Sequence, residues 1–375
     1  MLVLPNSNGR IFGRDLGYQP LREPVFRIDT SERAYGAEVS NAAEGKRSVA
    51  ATLNDIARQT NTSVSTVSRV LAGGSFASRI SDETRTRVMH AAKQMGYRPN
   101  LLARGLRTRK THTVALLVSD IANPFFGQIA SLVEQQLHRH GYSLIVCNSG
   151  EDPDLEDEYL NLLPSKGIDG LILVPLVRGK RSLGEVLSKN LPLVVLDRPI
   201  PGIGASVSSD QDQATNALCD TLERANVKRV ALVSGPQNVF TQRRRSEVVA
   251  KRFDVIFKHE GPMQYETGRH AFVSSLGQTP DAVVCTNNFL AMGYLDSIEE
   301  IENPPVMGVF EEIPLMQLLQ IPIVCAIQDI PMLAESCVQQ LLPQLNGMIP
   351  EHIEPVLLPA RVVTNLAFKR WQERQ

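Results

Sequence analysis

The sequence predicts an all-α helix-turn-helix headpiece followed by an α/β core of two Rossmann-like subdomains. Three observations predict it. Two short amphipathic helical stretches joined by a tight polar turn lie between 52 and 72, and a third helical stretch follows. Positive charge is concentrated around them. Between Lys46 and Lys110 thirteen lysines and arginines face three acids, a net +10, which leaves −11 for the remainder of a chain whose total is −1. From Thr113 onward short apolar runs alternate with stretches of helical period, the pattern of parallel sheets covered on both faces.

The bulk numbers narrow the class. A chain of 375 residues, 43% hydrophobic and 21% charged, has the size of two or three domains and the composition of a soluble globular protein. No apolar run approaches the ~18 residues of a membrane span, and no basic stretch followed by an apolar one marks a secretory signal. The five cysteines (Cys147, Cys219, Cys285, Cys325, Cys337) are scattered without a C-x-x-C pair, so they read as reduced, buried hydrophobes of a cytoplasmic protein. The seven histidines show no metal spacing, and no Walker, dinucleotide, zincin or nucleophile-elbow motif is present. No enzyme activity, metal or cofactor is expected.

Residues 1–48 have weak periodicity and many turn formers and read as a poorly ordered extension. A translation start at Val49 would leave them out of the native chain. The headpiece is expected over 49–98. Thr52 caps "LNDIARQT", Asn61 turns the chain, Ser63 caps "VSTVSRVLA", and Ser81 caps "DETRTRVMHAAKQMG". Val64, Val67, Val70 and Leu71 form the apolar stripe of the second helix; Val88, Ala91, Ala92 and Met95 form that of the third.

In a helix-turn-helix the second helix enters the major groove by its first turn. Here that turn offers Val64, Ser65 and Thr66, then Ser68 and Arg69. Hydroxyls donate to phosphates or bases, valine touches a thymine methyl, and arginine reaches guanine or phosphate. Read alone, the same residues serve equally as caps and solvated charges. The +10 segment and the stretch "RPNLLARGLRTRKT" tip the reading to double-stranded DNA. That stretch, Arg98 to Thr111, takes in the linker 99–111 and mixes Arg104 and Arg107 with Leu106. A DNA minor groove is both anionic and able to accept a leucine at an opened base step. Gly105 makes the segment a weak helix, expected to order on DNA.

Eight apolar runs follow: "TVALLVS", "SLIVCN", "GLILVP", "LVVLD", "RVALVSG", "AVVCTN", "VMGVF" and "IVCAI". The intervening stretches carry helical faces, as in Ile129, Leu132, Val133 and Leu137. Eight strands exceed what one open sheet of this kind usually needs, hence two halves.

The run from "ATLNDIARQTNTSVSTVSRVLAGG" through "GYRPNLLARGLRTRKTHTVALLVSDIANPFFGQI", with "LPLVVLDRP", "VALVSGP", "PDAVVCTNNFLAMG" and "QDIPMLAESCVQQLL" in order, resembles the lactose-repressor (LacI/GalR) family of bacterial transcription regulators over roughly 50–365. The resemblance implies a hinge helix and a periplasmic-binding-protein-like core over 112–375, divided roughly into 112–206 with 329–346 and 207–328 with 347–375. It implies a homodimeric regulator, expected to be a repressor in the bacterial cytoplasm at the nucleoid, that binds operator DNA and a sugar or sugar-phosphate effector. Thr52, Ser63, Val64, Ser65, Thr66, Ser68, Arg69, Arg104, Leu106 and Arg107 fall at its DNA-contact positions. Asp120, Asn123, Phe125, Phe126, Asp197, Arg243, Asn287, Glu312 and Gln328 fall at its effector positions. Aromatic faces, carboxylates and amides suit a pyranose.

The sequence departs from the family in several places. "TNT" replaces the usual Ala-Gly-Val turn, and Asn288 and Glu312 stand where aspartate is common. The shortened segment after Arg245 is similar to the fructose catabolite repressor/activator branch, whose effectors are sugar phosphates. Arg243, Arg244 and Arg245 suit an anionic ligand, and equally a solvated cluster. A sugar-binding transport protein shares the core fold, but the basic headpiece argues against it.

Overall fold

The structure is a computed structural model that describes residues 51–72, 80–97, 110–176, 180–188, 190–203, 205–298, 303–348 and 353–373. The chain divides into two compact units, at 1–98 and 99–375.

In the first unit, α1 (Leu53–Thr60), α2 (Val64–Ala72) and α3 (Asp82–Gln94) pack through Ile56, Ala57, Val67, Val70, Val88, Ala91 and Ala92. The turn follows from its chemistry. Asn61 ends α1 in the left-handed conformation (φ 49°, ψ 49°), which asparagine tolerates better than other non-glycine residues. The Thr62 N–H then donates to Ala57 O at 3.0 Å, and the buried Thr60 hydroxyl donates to Ile56 O at 2.7 Å. Val64 differs from the expected stripe. It is 41% exposed, because a nine-residue helix capped at Ser63 turns its first residue away from α1 and α3.

The second unit holds two six-stranded sheets. In chain order the strands of the first are β1 (Thr113–Val118), β2 (Ser143–Asn148), β3 (Gly170–Leu173), β4 (Leu193–Leu196) and β5 (Ser206–Ser209). The second has β6 (Arg229–Ser234), β7 (Asp254–Glu260), β8 (Ala282–Cys285), β9 (Val306–Phe310) and β10 (Ile323–Ile327). Then β11 (Val356–Leu358) returns to the first sheet and β12 (Arg361–Thr364) to the second. The orders are β11-β5-β4-β3-β1-β2 and β12-β10-β9-β8-β6-β7. All pairings are parallel except β10 with β12.

Helices cover both sheets: α4 (Pro124–Arg139), α5 (Pro153–Ser165), α6 (Lys180–Ser188) and α11 (Ile330–Leu345) with the first, and α7 (Gln211–Arg224), α8 (Phe240–Arg252), α9 (Tyr265–Ser275), α10 (Asn288–Ile298) and α12 (Leu366–Gln372) with the second. The eight expected strands are present; β5, β7, β11 and β12 are additional. The expected boundary needs correction, because β5 and the segment through Leu358 belong to the first subdomain. Leu357 pairs with Ser208 in register, and this pairing with β5 places β11 in the first sheet. The chain therefore crosses between subdomains three times: after β5, after β10 and between β11 and β12.

Two contacts set rigid reference points. Gly268 and Gly293 let α9 and α10 touch backbone to backbone; a Cβ on Gly293 would lie 1.8 Å from Tyr265 O. Near the start of the core, Lys110 Nζ donates to Leu345 O at 2.7 Å, and the Thr111 and His112 N–H groups donate to the Asp169 carboxylate at 2.8 Å each.

Candidate DNA-reading helix and ligand cleft

Ser63 caps α2, the candidate reading helix. Its Oγ accepts the Thr66 N–H at 3.1 Å and lies 2.8 Å from both the Ser65 and Thr66 hydroxyls. Capping and display thus coincide, with Val64, Ser65 and Arg69 exposed and Thr66 and Ser68 half-buried above Val67 and Val70. Thr52 is exposed and forms a reciprocal capping box with Asp55: the Asp55 N–H donates to its Oγ1, and Asp55 Oδ2 accepts the Thr52 N–H at 3.0 Å. The hydrogen bonds from Thr52 hold the Asp55 carboxyl below the usual range. Arg104, Leu106 and Arg107 lie outside the described residues.

The cleft of the core lies where β1, β4, β6, β8 and β9 end, between the two subdomains. Asp120, Asn123, Phe125, Phe126, Glu151, Asp197 and Arg198 line it from the first subdomain; Thr241, Gln242, Met263, Asn287, Phe289 and Glu311 line it from the second. Asn123 caps α4 by accepting the Phe125 N–H at 3.0 Å, which sets the two phenylalanines edge to face at 5.0 Å. Its amide also crosses the cleft. Asn123 Nδ2 donates to Asn288 Oδ1 at 3.3 Å, and Asn288 Nδ2 donates back to Asn123 Oδ1 at 3.2 Å. The innermost space is about 30 Å³, room for water but not for a sugar, and it adjoins two wider pockets of about 660 and 360 Å³ that share Asp120, Glu151 and Met263, and Arg198, with it.

Beneath the cleft sit two buried arginines. Arg198 donates to Glu151 Oε1 at 2.8 Å and Ser119 Oγ at 3.1 Å, with Asp197 Oδ2 3.8 Å away. Arg245, only 2% exposed, donates to Gln211 Oε1 at 2.9 Å, Thr286 O at 2.7 Å and Glu311 Oε1 at 3.4 Å, and stacks 4.4 Å from the Phe310 ring centre. Burial pushes the Asp197 and Glu311 carboxyls above the usual carboxylate range.

Of the residues expected from sequence, Asp120, Asn123, Phe125, Phe126, Asp197 and Asn287 line the cavity, and Gln328 donates to Glu311 Oε1 at 3.3 Å. Arg243 is 40% exposed, 3.8 Å from Glu247, and with Arg198, Ser206 and Ser208 lines a wider pocket of about 360 Å³ that adjoins this cavity; two positions along a 3.6-residue helix turn Arg245 inward to the floor. One expectation is corrected. Glu312 is exposed, because Glu311 adopts a left-handed turn (φ 71°) at the end of β9 and takes the inward place. Arg244 pairs with Asp212 and Glu247 at the surface. Sequence reasoning missed Glu151, Arg198, Gln242 and Phe289. Arg198 alone carried a signal, as a charged neighbour of Asp197 at a strand end.

A helix that displays hydroxyls and an arginine, on a chain whose core encloses a polar two-lobed cleft, defines a DNA-binding regulator with a ligand domain. The family described as "Bacterial regulatory proteins, lacI family" matches residues 52–100, and that described as "Periplasmic binding proteins and sugar binding domain of LacI family" matches 111–300, just over half of the chain. The chain belongs to the LacI family of transcription regulators. Catabolite control protein A of Staphylococcus aureus (strain MRSA252) is 29% identical over 337 residues, which covers 83% of this chain and 97% of that one. The fold is similar to that of the lac repressor dimer bound to operator and the anti-inducer ONPF (TM-score 0.73, 22% identity, 84% of this chain and 99% of that chain). It is also similar to that of the Cra transcriptional dual regulator from Pseudomonas putida in complex with fructose 1-phosphate (TM-score 0.63, 21% identity, 68% and 99%). Among the described residues, no helix is long and apolar enough to cross a membrane.

Proposed function

We propose that the chain is a repressor that acts as a homodimer on a two-fold operator in the bacterial cytoplasm, with Val64, Ser65 and Arg69 reading each half-site. A carbohydrate held between the core subdomains controls its operator affinity. The observation that carries this reading is the pairing of an exposed, self-capped reading helix with an inter-subdomain cavity of carboxylates, amides and aromatic rings. One short helix reads too few bases for a specific site, and symmetric half-sites double the contacts.

The innermost space is too small for a sugar, so a ligand that reaches Asp197 and Glu311 from the wider adjoining pockets parts the subdomains about the three crossings and breaks the Asn123–Asn288 pair. Closure on ligand then selects one arrangement of the core. Gln328, bonded to Glu311, lies just before α11, and the far end of α11 receives Lys110, the last residue but one of the linker segment. That helix is the route by which closure alters the linker, and Leu106 and the flanking arginines carry the change to the minor groove.

Selection of duplexes from a randomised pool by the full chain at moderate salt tests the reading. A two-fold consensus is expected, and Ser65→Ala or Arg69→Ala should relax it at matching positions of both half-sites. Recovery of no consensus, or an affinity that depends on salt alone, contradicts it.

A further inference from the structure

The first sheet has a second pocket at its other end. The cleft lies where the strands finish, whereas this pocket, of about 600 Å³, lies where β4 and β5 begin. That volume is in the range of small-molecule sites. Its apolar walls are Leu187 on α6, Leu191 and Leu193 at the entry to β4, Ile203 and Ala205 at the entry to β5, and Leu345 at the end of α11. Gly202 and Ile203, on the loop between β4 and β5, border both this pocket and the one that Arg243 lines.

The pocket opens at the margin of two cores. Ala205 and Leu345 belong to one apolar cluster of the first sheet, and Leu191, Leu193 and Ile203 to another. Leu187 is 46% exposed, an apolar side chain that its own chain leaves uncovered at the rim. An occupant with an apolar body would remove it from water.

The polar groups select the other end of that occupant. Among the described residues that line the pocket, none is a carboxylate and Lys110 carries the one formal charge. The neighbouring polar groups are satisfied within the chain. The Gln344 amide accepts the Leu193 N–H at 3.1 Å and donates to Leu193 O at 3.2 Å. The N–H groups of Asn346, Gly347 and Met348 take the Leu342, Pro343 and Gln344 carbonyls that end α11. Lys110 Nζ closes the same helix end by donating to Leu345 O at 2.7 Å, which holds its positive charge at the rim. A half-buried ammonium beside apolar walls favours an anionic head group on an apolar body over a neutral or cationic one.

We propose that this pocket is a second ligand site, distinct from the cleft, for a small amphipathic carboxylate whose apolar body lies on the leucines and whose carboxylate pairs with Lys110. Lys110 belongs to the linker segment and ties it to α11. On the regulator reading above, the site therefore places a second input beside the anchor of the linker.

Calorimetric titration of the full chain tests the site. The probes are hexanoate, octanoate and benzoate, each beside its alcohol: 1-hexanol, 1-octanol and benzyl alcohol. At least one carboxylate is expected to bind once per chain and at least ~10-fold more tightly than its alcohol, the share of a charge-assisted contact. Absence of saturable one-to-one binding, or an alcohol that binds as tightly as its carboxylate, overturns the proposal. The titration uses no DNA, so its failure leaves the regulator reading standing.

Variants locate the bound carboxylate. Lys110→Gln should lower its affinity to that of the alcohol, and Lys110→Arg should restore the preference. Leu187→Asp changes an exposed position, so the melting temperature should stay nearly the same. It should weaken carboxylate binding at least ~10-fold, because a like charge then faces the head group. Unchanged affinity in Lys110→Gln or in Leu187→Asp overturns the proposal, and Leu187→Asp decides alone if Lys110→Gln does not fold.

Discussion

Glu156 carries the most quantitative expectation. It lies on α5, buried, and one carboxylate oxygen accepts the Leu176 N–H at 2.9 Å. Burial pushes its carboxyl from the usual 4.5 up to about 7, against the pull of that hydrogen bond and of Arg198. At ~1.36 kcal/mol per pH unit, this rise corresponds to roughly 3 kcal/mol between the two protonation states. The native state holds the proton more tightly than the unfolded chain does. The favourable contribution is thus fully present below about pH 4.5 and is lost as pH rises through 7. Glu156→Gln keeps an acceptor for Leu176 and removes the charge. It should stabilise the core by about 2–3 kcal/mol at pH 8 and by almost nothing at pH 4.5. Urea unfolding of parent and variant, followed by circular dichroism across that range, measures the difference directly. A difference that does not vary with pH, or a variant less stable at pH 8, would refute the reasoning.

Four further perturbations probe other parts. Gly293→Ala places a methyl against Tyr265 O and forces α9 from α10; a loss of about 1–3 kcal/mol is expected, and an unchanged urea midpoint would contradict the close approach. Arg243→Ala should shift stability by no more than about 0.5 kcal/mol, since its pair with Glu247 is exposed. Arg245→Lys should lower the melting temperature and abolish the ligand response, because lysine cannot reproduce the fork to Gln211 and Thr286; equal melting of the two variants would reject the distinction. Leu106→Ala should weaken binding to the selected duplex far more than to random duplex in gel-shift titrations, whereas an equal loss on both argues against a minor-groove wedge.

Much of this was legible in the sequence because hydrophobic period, caps and charge act locally. Ser63 and Asn61 fix the turn by their own side-chain and backbone chemistry, and the eight apolar runs are strands because both sheet faces are covered. The elements that escaped lack such a signal. β5 reads "SVSS", yet Ser206, Ser208 and Ser209 are buried at the junction of the subdomains, so its composition looks like a loop. β7 is an edge strand with no buried residue, and "DVIF" reads as the tail of the preceding helix. β11 and β12 are short and acquire their places only by pairing with distant β5 and β10.

The same limit governs the cleft. Asp197, Asn123 and Asn287 follow strand ends, where a cleft between parallel sheets must lie. Which of three consecutive arginines turns inward depends on the phase of α8, and which of two glutamates does so depends on one left-handed residue. Neither is written in residue type. The Asn123–Asn288 pair joins residues 165 apart, and only the assembled subdomains bring them together.

The central claim is that a ligand in the cleft controls what the headpiece does to DNA. Its most direct measurement is the affinity of the full chain for its selected duplex, titrated at fixed salt with and without the carbohydrate that binds best, beside Asp197→Asn. A change of at least about fivefold, the lower range of allosteric coupling, is expected in the parent chain. The variant should match the parent without ligand and fail to respond at the same ligand concentration. Equal operator affinity of the parent with and without saturating ligand would contradict the claim.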